Sequence, residues 1–174
     1  LGKKGDKMLD KLNELELLTL VIFGEARGLD HCGRLAVGCV VRNRVMKNKT
    51  NYKIEILKPY QFSCFNPGDP NRELLERIAK KIEYFKESLP PIQRKKEEQK
   101  FTEEIFNRLD KTLLGEGALF DCYTCALAVM KGCQDITTGA THYIATYWAM
   151  PEWIKGMRMT KIIGQHVFFV EKCF

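Results

Sequence analysis

The chain has 174 residues, 45% hydrophobic and 29% charged, which is ordinary for a globular protein and enough for one domain with a real core. No apolar run reaches the ~20 residues of a membrane span, and the opening LGKKGDKMLDKLNEL is too charged for an export signal, so the expectation is a protein made in the cytoplasm. A net charge of +6 suits an anionic partner, but Lys and Arg are mixed with Glu rather than gathered in the stripe of a nucleic-acid reader.

In chain order, Met8, Leu9, Leu12, Leu15, Leu18 and Ile22 recur at helical spacing and predict a helix over about 7–24, with Asp6 as N-cap. GRLAVGCVVRNRV predicts a second helix over about 32–46, in which Gly33 and Gly38 weaken propensity but allow close packing. Residues 47–70 read as a loop, largely irregular, ending in the turn Asn66-Pro67-Gly68-Asp69-Pro70, with Asp69 placed to cap a following helix. Two charged amphipathic helices follow, over 71–88 and about 92–114, separated by SLPP. The second carries RKKEEQK, whose mixed signs suit a solvated face. After the turn GEG, Ala118–Lys131 reads as a helix ended by Gly132. The remainder is loop-rich with strand-like pieces, and GQHVFFVEK closes it as a strand. There is no internal repeat. The reading is a single domain over 1–174 in which 71–114 is a charged helical insertion.

Seven cysteines leave at least one unpaired in a monomer, and Cys32 and Cys39 sit in an apolar helical pattern, which suits a reducing compartment. Cys122-x-x-Cys125 with Cys133, His142 and His166 downstream has zinc-like spacing. The pair lies in one continuous helix without a knuckle turn, so neither a metal nor any other cofactor is expected.

The chemistry centres on Glu25, in LTLVIFGEARG. A carboxylate ending an apolar helix is partly desolvated, which disfavours its charged form. A carboxylic acid that keeps its proton near neutrality can protonate a leaving oxygen, as glycosidic cleavage requires. The neighbouring glycines would let a chain-like substrate approach. The plainer alternative is a surface pair between Glu25 and Arg27.

FGEARG, GRLAVGCVVRNRV, YQFSCFN, ALAVMKGCQDITTGATHYIA, MPEW and IIGQHVFF, in this order, resemble the SleB/CwlJ family of bacterial cell-wall hydrolases, which includes spore cortex-lytic enzymes and phage domains. The resemblance covers most of the chain outside 71–114. It implies an α+β, mostly helical, lysozyme-like or lytic-transglycosylase-like domain with a small β element. The implied activity is cleavage of peptidoglycan glycan strands between N-acetylmuramic acid and N-acetylglucosamine, by a bacterial wall-remodelling enzyme or a phage endolysin. Glu25 matches the family's acidic residue, acting as general acid and then base in transglycosylation. A hydrolase would need a second carboxylate ~5–9.5 Å away, for which Asp30 and Asp135 are the candidates.

The other matches imply binding roles. Gln61 and Ser63 would hold N-acetyl and hydroxyl groups, and Phe62 would pack a sugar face or the core. Asn43, in a helix interior, is a buried hydrogen-bonding group, structural or at the cleft. Thr138 lies in the family's Asp-Pro-Thr-Gly-Ala loop, here with Ile136 for the proline. Tyr143 would line the groove, Trp153 would stack on a sugar or plug the core, and His166 falls in the GxHxF match. Leu29 stands where the family often has an acid. Anionic wall polymers are further partners; nucleic acid and membrane are not. The alternatives are an N-acetylmuramoyl-L-alanine amidase and a non-catalytic wall-binding module of the same fold.

Overall fold

The computed structural model describes residues 6–88, 98–114 and 117–172. The predicted first helix is two: α1 (Asp6–Leu9) and α2 (Glu14–Ala26). The break has a local cause, because Asn13 forms a reciprocal cap with Glu16. Its side chain accepts from Glu16 N (2.9 Å), and Glu16 Oε2 accepts from Asn13 N (2.8 Å). Beyond the cap, Leu17, Leu18, Leu20, Val21, Ile22 and Phe23 are all buried together with Thr19, so this part of α2 is enclosed on every side and runs through the core.

α3 (His31–Asn48) is capped by Asp30, which accepts from Gly33 N at 2.8 Å. The stretch predicted irregular holds a short α4 (Tyr52–Ile56) and a 3-10 turn (Ser63–Phe65). α5 (Arg72–Glu87) has Asn71 as its N-cap instead of Asp69; Asp69 accepts from Asn71 N (2.8 Å) and shapes the turn before the helix. α6 (Glu98–Leu109) runs into a π-helical turn (Asp110–Leu114), and α7 (Ala118–Met130) follows. The predicted helix over 92–97 and part of the GEG turn lie outside the described residues. α2, α3 and α7 pack on one another. α5 and α6 add Leu75, Ile78, Ile82, Phe106 and Leu109 to the same core.

The β element is a three-stranded antiparallel sheet, β1 (His142–Ala145), β2 (Met157–Ile163) and β3 (His166–Glu171), in the order β1-β3-β2. β2 was not expected; Arg158, Thr160 and Lys161 leave it no clean apolar alternation. Its register against β3 shifts between Met159 and Lys161. Phe168 anchors the sheet on α3 by packing with Ala36, Val40 and Ala140. Side chains alternate across a strand. Tyr143, paired with Phe168, therefore faces the helices, and His142, paired with Phe169, faces away.

The loop leading into β1 is held by Asp135. Its carboxylate accepts from Thr137 N (2.8 Å), Thr137 Oγ1 (2.7 Å), Gly139 N (2.7 Å) and Asn43 Nδ2 (2.9 Å). Asn43 also donates to Ala140 O (2.9 Å). Burial works against this carboxylate's charge, but the Thr137, Gly139 and Asn43 donors prevail and hold its pKa below the ordinary 3.8. The six described cysteines are free thiols; Cys173 lies outside the described residues. Burial pushes the Cys39 thiol up to about 11 and Cys125 up to about 12. No helix among the described residues is long and apolar enough to cross a membrane.

Gly24 carries the contact that matters most for the site. A Cβ there would lie 2.6 Å from Cys64 Cβ and 2.8 Å from its Sγ. At Gly24 the space that the sequence suggested for substrate is thus filled by the protein's own 63–65 turn, whereas at Gly28 nothing lies within 4 Å of an added Cβ. Gly24→Ala is expected to cost about 1–3 kcal/mol by overpacking, read as a lower urea midpoint. Asp135 has a depressed pKa, so its contribution is complete above the ordinary 3.8 and fades as pH falls through the lower folded value. Asp135→Asn should therefore lower the urea midpoint at pH 7, with the gap to the parent chain narrowing below about pH 3.8.

Candidate active site

Glu25 is half-buried near the end of α2, where the close approach at Gly24 brings the 63–65 turn against it. Oε1 accepts from Cys64 N (3.0 Å) and from Ser63 Oγ (3.2 Å). Oε2 accepts from the Tyr143 hydroxyl (2.9 Å), brought from β1, more than a hundred residues along the chain. The carboxylate therefore sits among three polar donors on an apolar base, not in the wholly oily setting that LTLVIFGEARG suggested. Arg27 is not its partner: that guanidinium lies over the Phe23 ring, 5.6 Å from its centroid.

Around Tyr143 the cluster extends to His166, whose ring meets the tyrosine edge-on at 5.3 Å. His166 is buried, and its Nδ1 has no hydrogen-bond partner among the described residues. Burial lowers the His166 pKa against the weaker pull of Glu25, so the ring favours its neutral form. Burial and then the Glu25 carboxylate push the Tyr143 phenol well above its ordinary value. Tyr143 accordingly keeps its proton throughout the physiological range.

The sequence reading missed Arg44. It is buried on α3, donates from Nε to Thr141 O (2.5 Å), and lies over the Phe62 ring, 5.1 Å from its centroid. Its NH1 has no partner among the described residues. Burial lowers its pKa, opposed by Tyr143, Glu55 and Glu25, and the guanidinium remains charged. It supplies fixed positive charge behind Tyr143 and Glu25. The signal was there: an arginine just after Asn43, followed by another apolar residue, on a helix whose Val40 and Val41 are core.

The other candidates fall in several places. Ser63 touches Glu25 directly. Gln61 is half-buried on the same loop, and its side chain makes no hydrogen bond among the described residues. Phe62 is 3% exposed with Arg44 against its ring, so it packs in the core instead of offering a sugar face. Asn43 is committed to the Asp135 loop. Thr138 is exposed in that loop with φ 60°, a left-handed conformation costly for a β-branched residue, and has no contact with Glu25. Trp153 is 43% exposed, which rules out the core plug, but it packs beside His142 and Phe169 on the sheet face turned away from Tyr143. Of the two candidate second carboxylates, Asp30 is exposed and caps α3 through one oxygen, and Asp135 accepts from several donors within its own loop.

A cavity of about 490 Å³ is lined by residues that include Tyr60, Phe62, Phe65 and Arg72, and Glu25 is not among them. The cysteine and histidine set with zinc-like spacing does not assemble, since His142 and His166 lie on opposite faces of the sheet.

No curated protein matches the sequence. The fold is similar to the catalytic domain of the Bacillus cereus SleB protein, at 21% identity and a TM-score of 0.55, covering 90% of this chain and 89% of that one. It is also similar to the catalytic domain of the germination-specific lytic transglycosylase SleB from Bacillus anthracis, at 18% identity and a TM-score of 0.54, covering 97% of each. These likenesses establish a mostly helical, lysozyme-like fold with a small sheet. The family profile described as cell wall hydrolase matches residues 29–169, beginning just past Glu25. Matched over most of its length and sharing this fold, the chain belongs to the cell wall hydrolase family, of the SleB/CwlJ type.

Proposed function

We propose that the protein cleaves peptidoglycan glycan strands between N-acetylmuramic acid and N-acetylglucosamine as a lytic transglycosylase, with Glu25 as its single acid-base group. The observation that carries this reading is the convergence of Ser63, the Cys64 amide and Tyr143 on one half-buried carboxylate. The Cys64 N–H can only donate, so it fixes Oε1 as an acceptor. Oε2 is then the oxygen that carries the proton, because the Tyr143 hydroxyl can turn from donor to acceptor.

In the first step Oε2–H protonates the glycosidic oxygen as the bond to muramic acid C1 breaks, and the N-acetylglucosamine leaves as an alcohol. The muramic acid primary hydroxyl then attacks C1, closing an anhydro ring and returning its proton to Glu25. No water is consumed and no second carboxylate is needed. That agrees with Asp135 being held by Asn43 and the donors of its own loop. Neutral His166 and charged Arg44 flank the site, and Gln61 and Ser63 border it on the loop side. Thr138 and Trp153 would reach only more distant parts of a long strand. We read residues 71–114 as a charged addition to the lytic core, supported by the solvated outer face of α5. The net charge of +6 favours encounter with anionic wall polymers.

Glu25→Gln keeps shape and removes the acid, and should slow digestion of purified walls roughly 100- to 10,000-fold. Mass spectrometry of the parent digest should show anhydro-muramic ends. Reducing ends would indicate hydrolysis, and released stem peptides an amidase; retained wall binding by an inactive parent chain would indicate a binding module. Tyr143→Phe removes one donor from Oε2 and should lower kcat roughly 10- to 100-fold with little change in KM.

A further inference from the structure

Away from Glu25, the start of α3 meets α7 through three side chains with metal-binding donors. His31 Nδ1 lies 2.7 Å from Asp121 Oδ1, and Cys125 Sγ lies 3.6 Å from the same His31 nitrogen. All three donor atoms fall within 4.8 Å of one another. Asp121 and Cys125 are one helical turn apart on α7, so they present on the same face. We propose that His31 Nδ1, Asp121 Oδ1 and Cys125 Sγ form a binding site for a divalent cation of the zinc type.

The donor set and spacing point to that ion class. Nitrogen, sulfur and one carboxylate oxygen suit zinc, while calcium and magnesium prefer all-oxygen shells. Metal–sulfur and metal–nitrogen bonds of ~2.3 and ~2.0–2.1 Å at a tetrahedral ion place those two atoms about 3.6 Å apart, which matches the separation seen here. The His31–Asp121 pair must open by roughly half an ångström, which an imidazole side chain 58% exposed at a helix start can do. Arg34 NH1 already holds the other carboxylate oxygen, Oδ2, at 2.8 Å, as an outer partner that leaves Oδ1 for the ion. On binding, the Cys125 thiol gives its proton to solvent and a sulfur–metal bond forms. The fourth position is left to water on the exposed His31 side.

Such an ion would fasten α3 to α7. Arg34 also donates from NH2 to Arg27 O at 2.6 Å, so the same cluster braces the turn immediately after Glu25. The site is structural and does not depend on the proposed wall chemistry. Its partners are not those of the Cys122-x-x-Cys125 spacing: Cys122 is not among them, and the other two donors come from His31 and Asp121.

The test uses the full chain, stripped with a chelator and titrated with zinc chloride in a calorimeter. One ion per chain should bind with a Kd on the order of 1 μM or tighter, and Tm should rise with zinc concentration. Cobalt(II) should give a thiolate charge-transfer band that disappears in Cys125→Ala. His31→Ala, at an exposed helix start, should weaken binding at least about tenfold, with unchanged circular dichroism, and Cys122→Ala should leave it unaltered. Absence of stoichiometric binding, or binding that His31→Ala leaves intact, would overturn the proposal even if Cys125→Ala fails to fold.

Discussion

The Glu25 carboxylate is where three distant pieces of chain are tied together. α2 delivers it, the turn after Gln61 supplies a hydroxyl and an amide to one oxygen, and β1 supplies a phenol to the other. A carboxylate cannot be taken from water without donors to replace it. The fold meets that requirement by bringing a helix, a loop and a sheet to one point. Gly24 sets the helix-to-loop distance, and Phe168 against α3 sets the position of the sheet. The site is therefore a consequence of core packing on both sides of it.

The cost of this arrangement shows in the groups around it. His166 and Arg44 are buried with polar atoms that lack protein partners among the described residues. An unsatisfied buried donor or acceptor costs about 1–3 kcal/mol, and Arg34, Glu55 and Glu83 carry such atoms as well. Arg44 places positive charge behind the tyrosine, and neutral His166 limits the charge crowded at its edge.

Much of this was legible in the residues. The mostly apolar run from Leu17 to Phe23 announced a buried helix running up to Glu25, and the matching motif order pointed to the right family and fold. What escaped the sequence depended on local capping or on which way a side chain points. Asn13 and Glu16 break a pattern that looks continuous, because a reciprocal cap outweighs a few residues of periodicity. Trp153 and Tyr143 both looked like groove residues, yet strand alternation puts the partners of one on the far face from the other. Phe62 sits between two polar loop residues and still turns inward, because Arg44 covers its ring. Asn43 proved a loop anchor because its partners, Asp135 and Ala140, lie more than ninety residues away.

The shifted register between Met159 and Lys161 has a bearing beyond the architecture. β2 is an outer strand with a row of backbone groups that a second molecule's strand could extend. An incoming strand would have to match the dislocation residue by residue, with Arg158 and Lys161 adding like-charge repulsion between copies. At this edge, therefore, the irregular backbone and the two cations both act against strand addition.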